Sequence, residues 1–147
     1  MLSRKITKHL LGLVLNHANS LQIKAGVAAI KIVNIHNNEF IVDYLPLHSQ
    51  IERPANPDIL DDIGTNYFCV AFSKIGEMIS TGMNSGNSSI VPKKGELGYR
   101  GGIIWRNQNF IFYLAFSGGT EEQDLDCVNS AEKAFFEQLP LLQLISA

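Results

Sequence analysis

The run Asn109–Ser117, NFIFYLAFS, limits the fold more than any other part of the chain. It carries no charge and is rich in aromatic side chains, which favours an extended strand. A strand that is apolar on both of its alternating faces has to be covered from both sides. Just before it, Gly102–Arg106 (GIIWR) reads as a second strand, joined to the first at Asn107-Gln108. Just after it comes Ser117-Gly118-Gly119-Thr120, followed by Glu121, Glu122, Gln123 and Asp124. Thr120 and Gln123 have the spacing of a capping box, and the three acids suit the positive end of a helix dipole. The segment predicts a buried central strand that turns on two glycines straight into the last helix. That helix is expected to run to about Leu139, with Val128, Ala131, Phe135 and Leu139 near one face and an interruption at Pro140. The apolar tail Leu141–Ile145 is expected to pack on the domain or on a partner.

Upstream, Ile6, Leu10, Leu13, Val14 and His17 recur at steps of three or four and predict a helix over residues 3–19. Val27–Asn34 and Glu39–Leu45 predict a hairpin across His36-Asn37-Asn38, since Asn tolerates positive φ. Asn56-Pro57-Asp58 resembles a helix start, and Leu60, Ile63, Tyr67, Val70, Ala71, Lys74, Ile75 and Met78 keep helical spacing up to a stop at Gly82. Gly64 and Gly76 then fall inside this second helix, where close approach to a sheet or a neighbouring subunit would account for them. Residues 83–100 form a long aperiodic loop, the kind that is usually functional or mobile, with room for a short strand near Ser88–Val91. The order α-β-β-α-loop-β-β-α predicts a single α/β (α+β) domain over residues 1–147 with a mostly antiparallel sheet.

Composition narrows the function classes. With 46% apolar and 18% charged residues the chain is not a disordered one. A net charge of -2 leaves no overall basic field, which excludes general nucleic-acid binding. The charge is unevenly placed: Arg4, Lys5, Lys8, Lys24 and Lys31 meet no acid before Glu39. The first segment reads as an amphipathic helix rather than a removed signal, because Asn16-His17 breaks the apolar stretch. No apolar run is long enough for a membrane span. Cys69 and Cys127 both fall in expected helices without metal-ligand spacing, and predict free buried thiols and a cytoplasmic location.

The stretch Arg100–Phe136 resembles the GlcG/HbpS-like family, which includes the C-terminal domain of PduO-type proteins. Gly101-Gly102, a strand, a turn, a second strand and then Ser117-Gly118-Gly119-Thr120-Glu121-Glu122-Gln123-Asp124 match that family's SGGT-x-EQD signature without interruption. The resemblance implies a profilin-like three-layer α/β/α fold with a five-stranded antiparallel sheet. It also implies a homo-oligomer, and haem as a ligand of some members; His48, in the connection before the second helix where it could border a cleft, is the candidate haem ligand among the histidines. Three positions depart from the pattern: Asn34 with His36-Asn37-Asn38 replaces an Asp and Gly at the first hairpin, Ile103 replaces a proline, and the second helix, read as Asp58–Lys74, shows no lysine in an A-x-x-K-A setting.

Candidate site residues cluster around the glycine turn. Backbone N–H groups at Ser117, Gly118, Gly119 and Thr120 open a helix and could hold a carboxylate or phosphate, while a well-capped strand-to-helix turn would need no ligand. Asp124, Gly101 and Gly102 border that turn, and Tyr99 and Arg100 could contact a planar or acidic ligand. Trp105 is expected in the sheet or an interface. Ser117 lies in no G-x-S-x-G elbow and no histidine follows His48, so hydrolase chemistry is disfavoured. The residues point first to an oligomeric binding or accessory protein for haem or a small acidic metabolite. An enzyme using the cleft at the Ser117–Thr120 turn and a purely structural interaction protein are the alternatives.

Overall fold

The computed structural model describes the backbone of residues 3–146 and the side chains of residues 3–137. The chain runs α1 (Arg4–Ser20), β1 (Gly26–Asn34), β2 (Phe40–Leu47), β3 (Glu52–Arg53), β4 (Thr65–Asn66), α2 (Tyr67–Thr81), β5 (Gly102–Arg106), β6 (Phe110–Ser117) and α3 (Glu121–Ser146). The main sheet is antiparallel in the order β2-β1-β6-β5. The strongly apolar β6 is therefore central, as its composition predicts.

Alternation along the two central strands builds both cores. Ile30, Ile32, Leu114 and Phe116 face α1 and α3, where they meet Leu11, Val14, Cys127 and Val128. Val27, Ala29, Tyr113 and Ala115 face α2, where they meet Ala71, Ile75 and Met78. The result is three layers, two helices on one side of the sheet and one on the other. Ala29 lies directly opposite Ala115 in the register, so the sheet is shallow beneath α2 and the helix seats closely. Trp105 packs 4.9 Å from Phe112 and 4.4 Å from Phe136 between ring centroids, within the α3 side of the sheet.

Several expectations are corrected. The main sheet has four strands rather than five; β3 and β4 pair with each other as a separate ribbon. The chain leaves β2 through His48 and Ser49, both at positive φ (52° and 60°), which turns it away from the sheet edge. The second helix begins at Tyr67, capped by Asn66, whose Oδ1 accepts the Cys69 N–H at 3.0 Å. Residues 54–64 instead form a loop around Asp62. That carboxylate accepts bonds from Arg53 (2.8 and 2.9 Å) and from the N–H groups of Asn56 (2.8 Å) and Gly64 (3.0 Å). The Gly64 amide, which a helix would have paired internally, is thereby satisfied by a side chain, and Asp61 and Gly64 take positive φ. Leu60 and Ile63, expected in the helix, are about nine-tenths exposed. Gly76 faces open space, so no close contact requires it. Cys69 is exposed rather than buried, whereas Cys127 is buried and its thiol is pushed up to about 12 by burial. No strand forms over residues 88–91. The last helix continues beyond Pro140 to Ser146, and the packing expected of Leu141–Ile145 lies outside the described side chains.

The basic first segment finds its acid across the fold. Asp43 is the one charged residue of β2, almost fully buried against α1. It accepts from Thr7 Oγ1 at 2.8 Å and Lys8 Nζ at 3.0 Å, with Arg4 at 3.3 Å. Burial raises the Asp43 pKa, but these bonds and the Tyr44 N–H outweigh it and hold the carboxyl below its usual value.

Asp43→Asn is expected to lower stability at pH 7 by about 1–3 kcal/mol, since charge-assisted bonds to a buried carboxylate are lost. A depressed folded pKa stabilises above the unfolded value of roughly 4 and ceases to do so as pH falls through the folded value. Urea denaturation should therefore show the difference between wild type and variant shrinking from pH 7 to pH 3.

Candidate functional site

The α2 sequence Ala71-Phe72-Ser73-Lys74 places a lysine on the same helix face as Ala71 and Met78, the face that meets the sheet. Lys74 is only 3% exposed. Its Nζ reaches the end of β6, donating to the Phe116 carbonyl at 2.6 Å and to Asp124 Oδ2 at 2.9 Å. Asp124, itself buried, lies in the first turn of α3, and its Oδ1 accepts the Gly119 N–H at 2.8 Å. The Thr120 N–H donates to Gln123 Oε1 at 3.0 Å and the Gln123 N–H returns a bond to Thr120 Oγ1 at 3.2 Å, completing the expected capping box. The carboxylate lodged on the amides of the glycine turn thus belongs to Asp124.

Glycines make this convergence possible. Gly101 has φ +116°, and a Cβ there would lie 2.7 Å from both Lys74 Nζ and Asp124 Cβ. A Cβ on Gly118 would lie 2.8 Å from the Gly26 Cα, so strand β1 and the turn pass backbone to backbone. Burial pushes the Lys74 pKa down and the Asp124 pKa up, each toward its neutral form, and the attraction between the two opposes both shifts. Glu121 and Glu77 add to the field that keeps Lys74 charged.

Beside this pair lies an open cleft of about 350 Å³ lined by Arg53, Tyr67, Lys74, Tyr99, Ser117 and Glu121, among others. The loop between α2 and β5 contributes Tyr99 to its lining. That loop is anchored at one end by the Gly86 N–H on Glu77 Oε2 (2.7 Å) and by Ser85, whose Oγ accepts the Gly102 N–H (2.9 Å). At the other end the Arg100 N–H donates to Glu121 Oε1 at 2.8 Å, which holds Tyr99 at the cleft. A second cleft of similar volume lies beyond the turn and shares Arg53, Tyr67 and Gly119.

The residues singled out from the sequence separate into groups. Tyr99, Ser117, Gly119 and Asp124 line the cleft. Gly101, Gly102, Gly118 and Thr120 shape the backbone around it. Arg100 contributes its backbone N–H and is not a lining residue. His48 is exposed in the turn after β2 and lines neither cleft. Among the described residues no cluster of metal-binding side chains occurs, and no helix is long and apolar enough to cross a membrane. Sequence reasoning missed Lys74, Arg53 and Tyr67. For Lys74 the signal was present: the second helix does carry an Ala-x-x-Lys segment, followed by Ile75 rather than alanine. The helical spacing does place Lys74 with Ala71, Ile75 and Met78, but nothing local shows which acid it meets.

The chain shares its fold with the PduOC:haem complex. The alignment covers 88% of this chain and 91% of that one at a TM-score of 0.55 and 21% identity. The crystal structure of the Ybr137w protein aligns over 95% of this chain and 81% of its own, at a TM-score of 0.58 and 19% identity. No family model matches the sequence, and no curated protein matches it. The resemblance to the GlcG/HbpS-like family, read from the SGGT-x-EQD segment, thus extends to the architecture of the chain.

Lys74→Met leaves the Asp124 charge buried without its partner, and is expected to cost about 3–5 kcal/mol in chemical denaturation. The double variant Lys74→Met/Asp124→Leu removes both charges and should cost clearly less than the sum of the two single changes.

Proposed function

We propose that this chain is a binding module for a small organic acid seated between α2, the Tyr99 loop and the β6–α3 turn. The observation that carries the reading is the buried Lys74 ammonium in the cleft wall. Two of its three N–H donors go to Phe116 and Asp124, leaving one for a ligand. Arg53 supports it: its guanidinium lies in the same cleft wall, held by Asp62, the Pro54 carbonyl and Tyr67, and brings a second positive charge toward an acid group. The rings of Tyr67 and Tyr99 and the side chain of Val70 supply apolar surface. Free Cys69 and Cys127 accord with a reducing cytosol as the working compartment. Calorimetric titration with a panel of small carboxylates is expected to give one saturable site, weakened at least tenfold by Tyr99→Ala. Absence of saturable heat with every acid in the panel would sink the reading.

Haem is the second reading, favoured by the shared fold with the PduOC:haem complex. The described residues lining the cleft include no histidine, cysteine or methionine, and its phenols Tyr67 and Tyr99 are the remaining side chains of a kind that binds haem iron. That donor set fits haem poorly, so a haemin titration is expected to give no stoichiometric Soret shift. A saturable shift lost in Tyr99→Phe would favour haem over the organic acid.

The homo-oligomer implied by the family resemblance belongs to the same proposal. Phe40, Val42 and Tyr44 of edge strand β2 are 62%, 40% and 44% exposed on the α2 side of the sheet, where one helix covers less than two do opposite. Light scattering is expected to give a multiple of the 16.3 kDa chain mass, falling toward one chain in Phe40→Asp/Val42→Asp.

A further inference from the structure

We propose that Lys74 is a nucleophile that condenses reversibly with the carbonyl carbon of a small oxo acid in this cleft, with Asp124 as its proton partner. The inference rests on the organic-acid reading and adds the ligand's reactive group. A lysine becomes a competent amine nucleophile when its surroundings disfavour the ammonium and a base stands within reach of its proton. Both conditions hold here. Lys74 is taken out of water by the sheet and by the segment at Gly101, and Asp124 Oδ2 lies 2.9 Å from Nζ. Burial acts on the two groups in the same sense, favouring transfer of the proton from nitrogen to carboxylate.

The groups around the pair suit the reaction. Gly101 leaves the flank of Nζ uncrowded, since any Cβ there would lie 2.7 Å from the nitrogen. The Arg53 guanidinium in the cleft wall would attract the ligand's carboxylate, and Tyr99 lies in the same cleft as a hydrogen-bond partner for the carbonyl oxygen, Tyr67 being engaged with Arg53. Glu77 is turned away to the Gly86 N–H and Glu121 to the Arg100 N–H, which leaves Asp124 as the carboxylate bonded to Lys74. Though almost fully buried, both members of the pair belong to the lining of the cleft.

The step balances without a further reagent. Lys74 passes one proton to Asp124, and its nitrogen lone pair forms a C–N bond as the carbonyl π pair moves to oxygen. Asp124 returns its proton to that oxygen, giving a carbinolamine. The nitrogen of that carbinolamine still carries two protons and the positive charge; loss of the hydroxyl with one of them releases one water and leaves the protonated imine beside the Asp124 carboxylate, and hydrolysis reverses each change.

The test incubates the full chain with pyruvate, adds sodium cyanoborohydride to reduce any imine, and maps the alkylated lysines by peptide mass spectrometry. The expected result is labelling at Lys74 at least tenfold above that at exposed Lys24 or Lys93, abolished in Lys74→Arg with the circular dichroism spectrum retained. Asp124→Asn is expected to slow labelling and to shift its pH profile, an effect that a merely structural role would not produce. Mapping on the wild-type chain stands alone should a variant fold poorly. Saturable pyruvate binding by calorimetry with labelling spread evenly over surface lysines would overturn the nucleophile and leave the binding reading intact. Absence of both binding and Lys74 labelling, with pyruvate and with 2-oxoglutarate, would overturn the two together.

Discussion

Lys74 and Asp124 bring opposite charges into a region water hardly reaches, and the arrangement of the molecule around them follows from that cost. Either charge alone would be strongly unfavourable there, so α2 and the start of α3 must stay at the distance that keeps Nζ 2.9 Å from the carboxylate. The same carboxylate fixes the glycine turn through the Gly119 N–H, and the same ammonium fixes the Phe116 carbonyl near the end of β6. One pair therefore joins a helix, the central strand and the turn that leads to the last helix.

The sheet is what makes such a pair reachable. Because β6 is covered on both faces, its end is a point where the α2 layer and the α3 layer come together. Small residues do much of the positioning: Ala29 beside Ala115 lowers the sheet under α2, and Gly101 lets the backbone pass against Nζ. At the far edge Asp43 repeats the theme with exposed partners, drawing the basic residues of α1 onto β2. Lys8 also donates to the Tyr44 carbonyl at 3.3 Å, so a long side chain blunts an otherwise open strand edge.

Where local chemistry governs, the sequence was legible. The hairpins, the capping box at Thr120 and the stop at Gly82 all depend on residues within a few positions of one another, and the structure keeps them. The second helix was misread for a physical reason. Asn56-Pro57-Asp58 has every local mark of a helix start, but Asp62 reaches Arg53 nine positions back and takes the Gly64 amide the helix would have used. Helical spacing does assign Lys74 its correct face, but only the packing of the layers shows that it meets Asp124. The fifth strand failed likewise, because positive φ at His48 and Ser49 sends the chain into a separate ribbon.

By itself the sequence determined the central strand, the glycine turn and the last helix, together with the absence of a general nucleic-acid-binding field, because each follows from composition or from short-range spacing. Only the tertiary structure decided which acid meets which base and where a cleft opens. Lys74 and Asp124 lie fifty residues apart, and the cleft is lined by residues as distant in the chain as Arg53, Tyr99 and Asp124. Contacts of that separation are chosen by how the layers pack, which no local pattern records.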